Sequence, residues 1–452
     1  MPEPWRLDKL AAVSRIPEHR VVRYAEMGLL LRRPDGHFEA DSLHRIRLIQ
    51  FARNRGIGDD QLAAATASQG DLLGIFEDLP PADDEPYSLT EVADEVGIDE
   101  DLRQELREFL NWDDVGNEQD VAALRVLARA LTLGLPRDAL LQLIRVFADA
   151  MDRLAEAETR IFHDYVHERF RAQGMSGREL LQATQSVGKP MLELVEPAVQ
   201  YFHHRAWRQA NREDLLRHLA EEGTAPSATV GETNATVMFI DLVSFTPLTV
   251  AMGDLAAADV LRRFGALVRG TAGEQGGRVI KQIGDAFMLV FPAPTDAITF
   301  GLAIEELAEA EPQFPALHIG AHHGPVLYRE GDYVGGGVNL AARVTSASAA
   351  GEFLVTEELR ETTKEHVDAD FVPLSPRRLK GLPDPIRLVR VRRRSIQRVE
   401  RKTDPVCGML LQPGDVHART TWRGNNFAFC SAECERIFAD NPARYGGHDG
   451  TR

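Results

Sequence analysis

Asp241 closes the apolar run TVMFID, and Asp285 follows Gly284 in KQIGDAFMLVF. One carboxylate at the end of a buried strand and another in a hairpin turn can converge on one point. Hard cations held there would be Mg²⁺ or Mn²⁺, which favour oxygen ligands and substrate phosphates. Two such ions can activate an attacking hydroxyl and neutralise a leaving group together. After Asp241 comes LVSFTPLT, in which Thr246 suits a helix N-cap and Pro247 the first helical position. Free N–H groups at that start, around Phe245 and Thr246, suit phosphate binding. Lys281 lies four residues before Asp285 on the strand entering the hairpin, where an inward lysine is costly unless paired. Asn339 and Arg343 in VNLAARV are four apart and share one helical face. Singly, these residues read as turn aspartates, a surface lysine and an exposed polar pair; together they suit phosphate chemistry on two metal ions.

A second cluster closes the chain. Cys407, Cys430 and Cys434 are thiolate ligands of the kind that hold Zn²⁺ or copper. About 45 residues cannot build a large core, so a metal staple there is physically sensible. The fourth ligand is open, with His417 a candidate, and three reduced structural cysteines without metal are the alternative.

The elements that must carry these groups follow from pattern. A chain of 452 residues is too long for a single core and implies two to four domains. Its apolar fraction of 44% and charged fraction of 27% are those of an ordinary globular protein. No apolar stretch reaches membrane-spanning length, residues 121–151 being broken by four arginines, and the N-terminus has no signal-peptide core. With cysteines too few for a disulfide framework, a cytoplasmic location is expected. The net charge of −17 argues against the whole molecule lying on nucleic acid or acidic lipid. Segments 221–235 and 391–405 read as linkers. Between them, strand patterns (TVMFIDL, RVIKQI, AFMLVF, FLVT, IRLVRV) alternate with helix patterns (AADVLRRFGALVRG, DAITFGLAIEELAEA, VNLAARVTSASA). That order predicts an α+β sheet covered on one face. Before the first linker, 6–18 resembles 88–100 and 47–62 resembles 125–140, two copies of a helix–turn–helix followed by a longer helix. Residues 139–220 follow with an amphipathic helical pattern.

The motifs of residues 233–392 closely resemble the class III nucleotide cyclases. The resemblance implies a ferredoxin-like βαββαβ catalytic domain that converts ATP to 3′,5′-cyclic AMP and pyrophosphate on two Mg²⁺ or Mn²⁺ ions. It assigns the metal to Asp241 and Asp285, and the base to Lys281 with Asp332. Lysine donating to adenine N1 and aspartate accepting from the N6 amino group suit adenine and mismatch guanine at both points. Asn339 would orient the ribose, Arg343 would stabilise charge on the α-phosphate, and Lys380 in RRLKGL would hold the terminal phosphates. Because one chain carries both the metal set and the base-reading set, a head-to-tail homodimer with two equivalent sites is implied.

The flanks carry their own resemblances. Residues 1–75 look like the helix–turn–helix of MerR-type regulators, and 80–140 like a degenerate second copy. Arg20, Arg23, Arg32 and Arg33 could meet DNA phosphates, but the second copy is acidic where such contacts would fall, which favours a recruited fold used for packing. Residues 141–222 resemble the helical regulatory and dimerisation region of acid-responsive mycobacterial-type cyclases, with His163, His167, His203, His204 and His218 as pH-titrating groups. Residues 402–447 resemble the YHS/TRASH-like metal-binding modules through DPVCGM, FCSAEC and NPARY. One rival reading is a transcription regulator whose cyclase-like domain senses a nucleotide, against which the intact hexad speaks; a third is a metal-responsive cyclase whose tail gates activity.

Overall fold

The computed structural model describes residues 4–71, 73, 87–110, 115–221, 229–394, 402–412 and 414–446. The chain divides into two compact units, 1–224 and 225–452. Much of both expected linkers, and part of the acidic stretch at 80–120, lies outside the described residues.

The first unit is almost wholly helical. Helices Leu7–Ser14, Glu18–Glu26, Ser42–Asn54 and Asp59–Gln69 correspond in order to Leu89–Glu95, Glu100–Leu110, Glu118–Thr132 and Arg137–Phe162. Each set closes its own core, one around Tyr24, Phe38 and Ile46, the other around Leu102, Leu106 and Leu141. The amphipathic pattern from 139 onward is not one helix. A π-helical turn spans His163–His167, and Gly174 at φ 91° ends the helix before Gly177–Glu221 begins.

The second unit is built on a sheet of eight strands: β1 (Glu232–Leu242), β2 (Arg278–Ile283), β3 (Ala286–Phe291), β4 (Leu317–Arg329), β5 (Asp332–Val334), β6 (Glu352–Thr356), β7 (Ala369–Pro373) and β8 (Leu388–Arg393). Their order is β2-β3-β1-β4-β6-β8-β7, with β5 folded back on β4. Only β4 and β6 pair in parallel. The helices are α1 (Phe245–Met252), α2 (Asp254–Glu274), α3 (Pro294–Ala310), α4 (Gly336–Ser346) and α5 (Glu357–Thr363). Strand β1 alternates as the period of two demands. Met238, Ile240 and Leu242 face the main core with Phe264 of α2 and Phe300 of α3, whereas Val237 faces a second core with Ala341 of α4. The sheet is therefore covered on both faces and not on one. Gly320 of β4 permits this, because a Cβ there would lie 2.2 Å from the Thr345 amide nitrogen.

Strand β4 has no counterpart among the expected elements. Its sequence, LHIGAHHGPVLYR, interrupts the apolar run with histidines, glycines and a proline, yet it pairs with β1 over eleven residues. The histidines become tolerable inside because they find hydroxyls: His322 Nδ1 lies 2.9 Å from Thr356 Oγ1 and His323 Nδ1 lies 3.0 Å from Thr236 Oγ1. Burial pushes both imidazoles down from their ordinary pKa.

The chain ends in a small module of β9 (Lys402–Thr403), β10 (Leu410–Leu411), the hairpin β11 (Ala418–Trp422) and β12 (Asn425–Phe429), and helices α6 (Ala432–Asp440) and α7 (Pro442–Tyr445). Its core, around Val406, Phe429 and Phe438, is shared with Leu248 of α1 and Ala257 of α2.

Candidate active site and candidate metal centre

Pairing of β1 with β3 sets Ile240 opposite Phe287, which brings Asp241 beside the β2–β3 turn that carries Asp285. The turn closes through Gly284 at φ 63°, a left-handed conformation natural to glycine. Asp241 is half-buried, and its carboxyl is raised to about 7, first by burial and then by the neighbouring Asp285 carboxylate. Asp241 Oδ1 is buried without a hydrogen-bond partner. Two carboxylates pressed together, one with an orphaned oxygen, are a donor set that a hard divalent cation satisfies.

Helix α1 starts two residues earlier than the Thr246 cap predicts. Ser244 is the N-cap, in the left-handed region at φ 54° and ψ 38°, and its side chain makes no capping bond. Thr246 is exposed in the first turn, and Pro247 costs nothing there because first-turn amides have no intrahelical acceptor. Phe245 packs between the sheet core and the core of the C-terminal module.

Lys281 on β2 is ion-paired with Asp332 at the start of β5, and Asp332 Oδ1 also accepts from the Tyr333 amide at 2.8 Å. Asn339 and Arg343 both lie on α4, four residues apart and exposed. Lys380 is exposed between β7 and β8, just before the tight turn at Gly381. The fold thus brings Asp241 to Asp285 and Lys281 to Asp332, and leaves Asn339, Arg343 and Lys380 outward.

In the C-terminal module Cys407 Sγ lies 3.5 Å from Cys430 Sγ, which lies 3.7 Å from Cys434 Sγ. A tetrahedron built on Zn–S bonds of about 2.3 Å has S···S edges of about 3.8 Å, so the three thiols have the spacing of a closed metal site. The fourth group is Asp404, fully buried, whose oxygen lies with the three sulfurs inside 4.8 Å. His417 is exposed, and its amide donates to the Phe429 carbonyl at 2.8 Å. The signal for Asp404 was present as the first residue of DPVCGM, three before Cys407. Its Oδ1 accepts from the Val406 amide and its Oδ2 from that of Cys430, so it also ties the two ligand loops together. Burial pushes its carboxyl up to about 6. Hydrogen bonds from Cys407 and Cys430 hold Cys434 down at about 4, and the same contacts drive Cys407 well up. Three thiols and a carboxyl gathered in one buried cluster are a donor set that a metal ionising the thiols would fit.

Residues 229–389 match the family model of the adenylate and guanylate cyclase catalytic domain. This chain carries a cyclase catalytic domain. Residues 402–449 match the YHS domain, so the cyclase is joined to a second recognised module. Among relatives, the pH-sensitive adenylate cyclase MT1302 of Mycobacterium tuberculosis is 29% identical over 362 residues, covering 77% of this cyclase chain and 88% of that protein. An adenylate cyclase of Streptomyces coelicolor is 27% identical, covering 67% and 76%. Among solved structures, the adenylyl cyclase CyaB from P. aeruginosa is 24% identical, covering 37% of this chain and 96% of that one, with a TM-score of 0.33. No helix among the described residues is long and apolar enough to cross a membrane.

Proposed function

We propose that the chain is an adenylate cyclase that converts ATP to 3′,5′-cyclic AMP and pyrophosphate in a homodimer. The observation that carries this is the Asp241–Asp285 carboxylate pair with its partnerless buried oxygen. The β2-β3-β1-β4 order around it supports the ferredoxin-like reading of the domain core. Asp241 and Asp285 would hold two Mg²⁺ or Mn²⁺ ions, which when bound supply Lewis acidity at the ribose 3′-hydroxyl and at the phosphates. The 3′-oxygen attacks the α-phosphorus, the bond to the β-phosphate oxygen breaks, and the hydroxyl proton leaves to solvent, no side chain being placed as a general base. The first-turn amides of α1, at Phe245 and Thr246, face the phosphates. Lys281 and Asp332 read adenine N1 and the N6 amino group, each exchanging part of its mutual ion pair for the base.

Asn339 and Arg343, exposed on one face of α4, support a site completed across a dimer, with Asn339 on the ribose and Arg343 on the α-phosphate. Lys380 would hold the terminal phosphates. The 45-residue helix Gly177–Glu221 leaves Leu194, Phe202, Leu216 and Leu219 each at least 60% exposed, an apolar surface suited to a second copy. Regulation is assigned to this helical region. His163 and His167 stack at 4.8 Å in the π-helical turn, with Glu168 3.6 Å from His163 and Thr184 Oγ1 3.4 Å from His167. Protonating both rings would set like charges face to face, a basis for pH response. The MerR-like region is assigned to packing; a mobility shift with random duplex DNA at low salt would overturn that.

The test is cyclic AMP formation from ATP with Mn²⁺. Asp285→Ala should lose about 10³-fold in kcat, about 4 kcal/mol of barrier, and activity within tenfold of the unaltered chain would refute the metal assignment.

A further inference from the structure

The YHS module does not hang from the catalytic domain; it is built into the turn that carries the catalytic carboxylate. The Val243 amide donates to the Ala316 carbonyl at 2.9 Å, and the Ala316 amide donates to the Gly408 carbonyl at 2.9 Å. Gly408 follows the metal ligand Cys407, and Val243 lies two residues after Asp241. Two backbone hydrogen bonds thus link the cysteine cluster to the carboxylate turn. Next to them the Leu410 amide donates to the Phe314 carbonyl at 3.1 Å, and Met409 bridges to Pro315. The strap 408–410 is therefore an added edge on the segment leading into β4.

The contact is close as well as paired. A Cβ on Gly408, itself at φ 73°, would lie 2.2 Å from the Val243 carbonyl oxygen. Apolar side chains continue it: Leu248 of α1 is fully buried in the same core as Val406, Cys407 and Cys434. Beside this contact stands Ser244, whose left-handed backbone has no glycine to ease it and no side-chain cap to hold it. A strained residue persists only where its surroundings over-determine it, and the adjacent Val243 is held by Ala316 and Gly408.

We propose that metal occupancy of the Asp404, Cys407, Cys430 and Cys434 site is energetically coupled to the nucleotide–metal site through the strap 408–410 and the turn 242–248. A bound cation would pin Cys407 to Cys430 and Cys434, fix Gly408 against Val243, and so hold Ser244 and the α1 start in the geometry seen here. The module is then a metal-dependent brace on the catalytic turn. The inference rests on the assignment of Asp241 and Asp285 as the nucleotide–metal site, and coupling must run both ways, each ligand changing the other's affinity by one factor.

The experiment uses the full chain, stripped of metal and reloaded with Zn²⁺ from a chromophoric chelator buffer. Without nucleotide, Zn²⁺ is expected to slow hydrogen exchange of amides 242–252 at least threefold. Mn²⁺ with 3′-deoxy-ATP, which lacks the attacking hydroxyl, is expected to tighten Zn²⁺ binding at least threefold, and Zn²⁺ to tighten that nucleotide equally. A Cys430→Ser/Cys434→Ser chain should show neither effect, and Gly408→Ala should retain Zn²⁺ while losing the exchange effect. The wild-type measurements decide the matter if that variant fails to fold. Stoichiometric Zn²⁺ with unchanged exchange and unchanged affinities, or no Zn²⁺ binding at all, overturns the proposal. Coupling without any cyclic AMP formation would instead sink the cyclase reading and leave the brace standing.

Discussion

At the scale of single residues, the site is organised by how each polar group is satisfied. Lys281 of β2 and Asp332 of β5 are ion-paired, so each side chain fixes the other in place. Asp241 is satisfied by nothing within the chain on one oxygen, and its proton affinity records that. The sign of the consequence is definite. With the folded value raised to about 7 from 3.8, the folded state holds a proton between those pH values that the unfolded state has released. Stability therefore falls as pH rises from about 4 to 7, and the penalty is complete above 7. In metal-free protein Asp241→Asn should raise Tm at pH 8, with the gain vanishing near pH 4 in scanning calorimetry. Mn²⁺ should raise the Tm of the unaltered chain at pH 8 and leave the variant where it is. A variant less stable than the parent at pH 8 would contradict the burial argument.

At the scale of elements, two close approaches position the chemistry. Helix α4 reaches the sheet because Gly320 has no side chain, and Thr345 Oγ1 uses the contact to donate to the Phe239 carbonyl at 3.3 Å. Asn339 and Arg343 ride on that helix, six and two residues before Thr345, so their height above the sheet is set by that contact. Gly320→Ala should displace α4, cost about 1–3 kcal/mol by overpacking, and lower Tm by several degrees. Its kcat should fall while Mn²⁺ affinity at Asp241 and Asp285 is retained. Equal losses of both would mean that the whole sheet, and not α4, had moved. The same element scale explains what was missed. A 13-residue strand with His322, His323, Gly324 and Pro325 carries no alternation to read, and only the hydroxyls of Thr236 and Thr356 on neighbouring strands make it affordable.

At the scale of the whole molecule, the proposed dimer predicts that two defective chains can complement each other. Mixing Asp241→Ala with Arg343→Ala chains should restore activity, because a heterodimer of the two regains one intact site. Recovery to about a quarter or less of the parent activity is expected, after allowance for the homodimers that also form. No recovery, in chains shown to exchange subunits, would count against shared sites.

What the sequence offered by itself was a candidate chemistry: Asp241, Asp285, Lys281, Asp332, Asn339 and Arg343 are singled out by residue type, spacing and resemblance, and the fold brings Asp241 to Asp285 and Lys281 to Asp332. The cysteine triad was legible in the same way. The tertiary structure decided the rest, because proximity between distant segments is not a property of any local pattern. It gathered Asp404, and not His417, with the three cysteines, moved the α1 cap from Thr246 to Ser244, inserted β4 as the strand beside β1, and covered the second face of the sheet. It also set Gly408 against Val243, 165 positions earlier in the chain. A glycine and a valine so far apart announce nothing singly; only the absence of a Cβ, measured against a folded neighbour, reveals that the YHS module and the turn after Asp241 share one support.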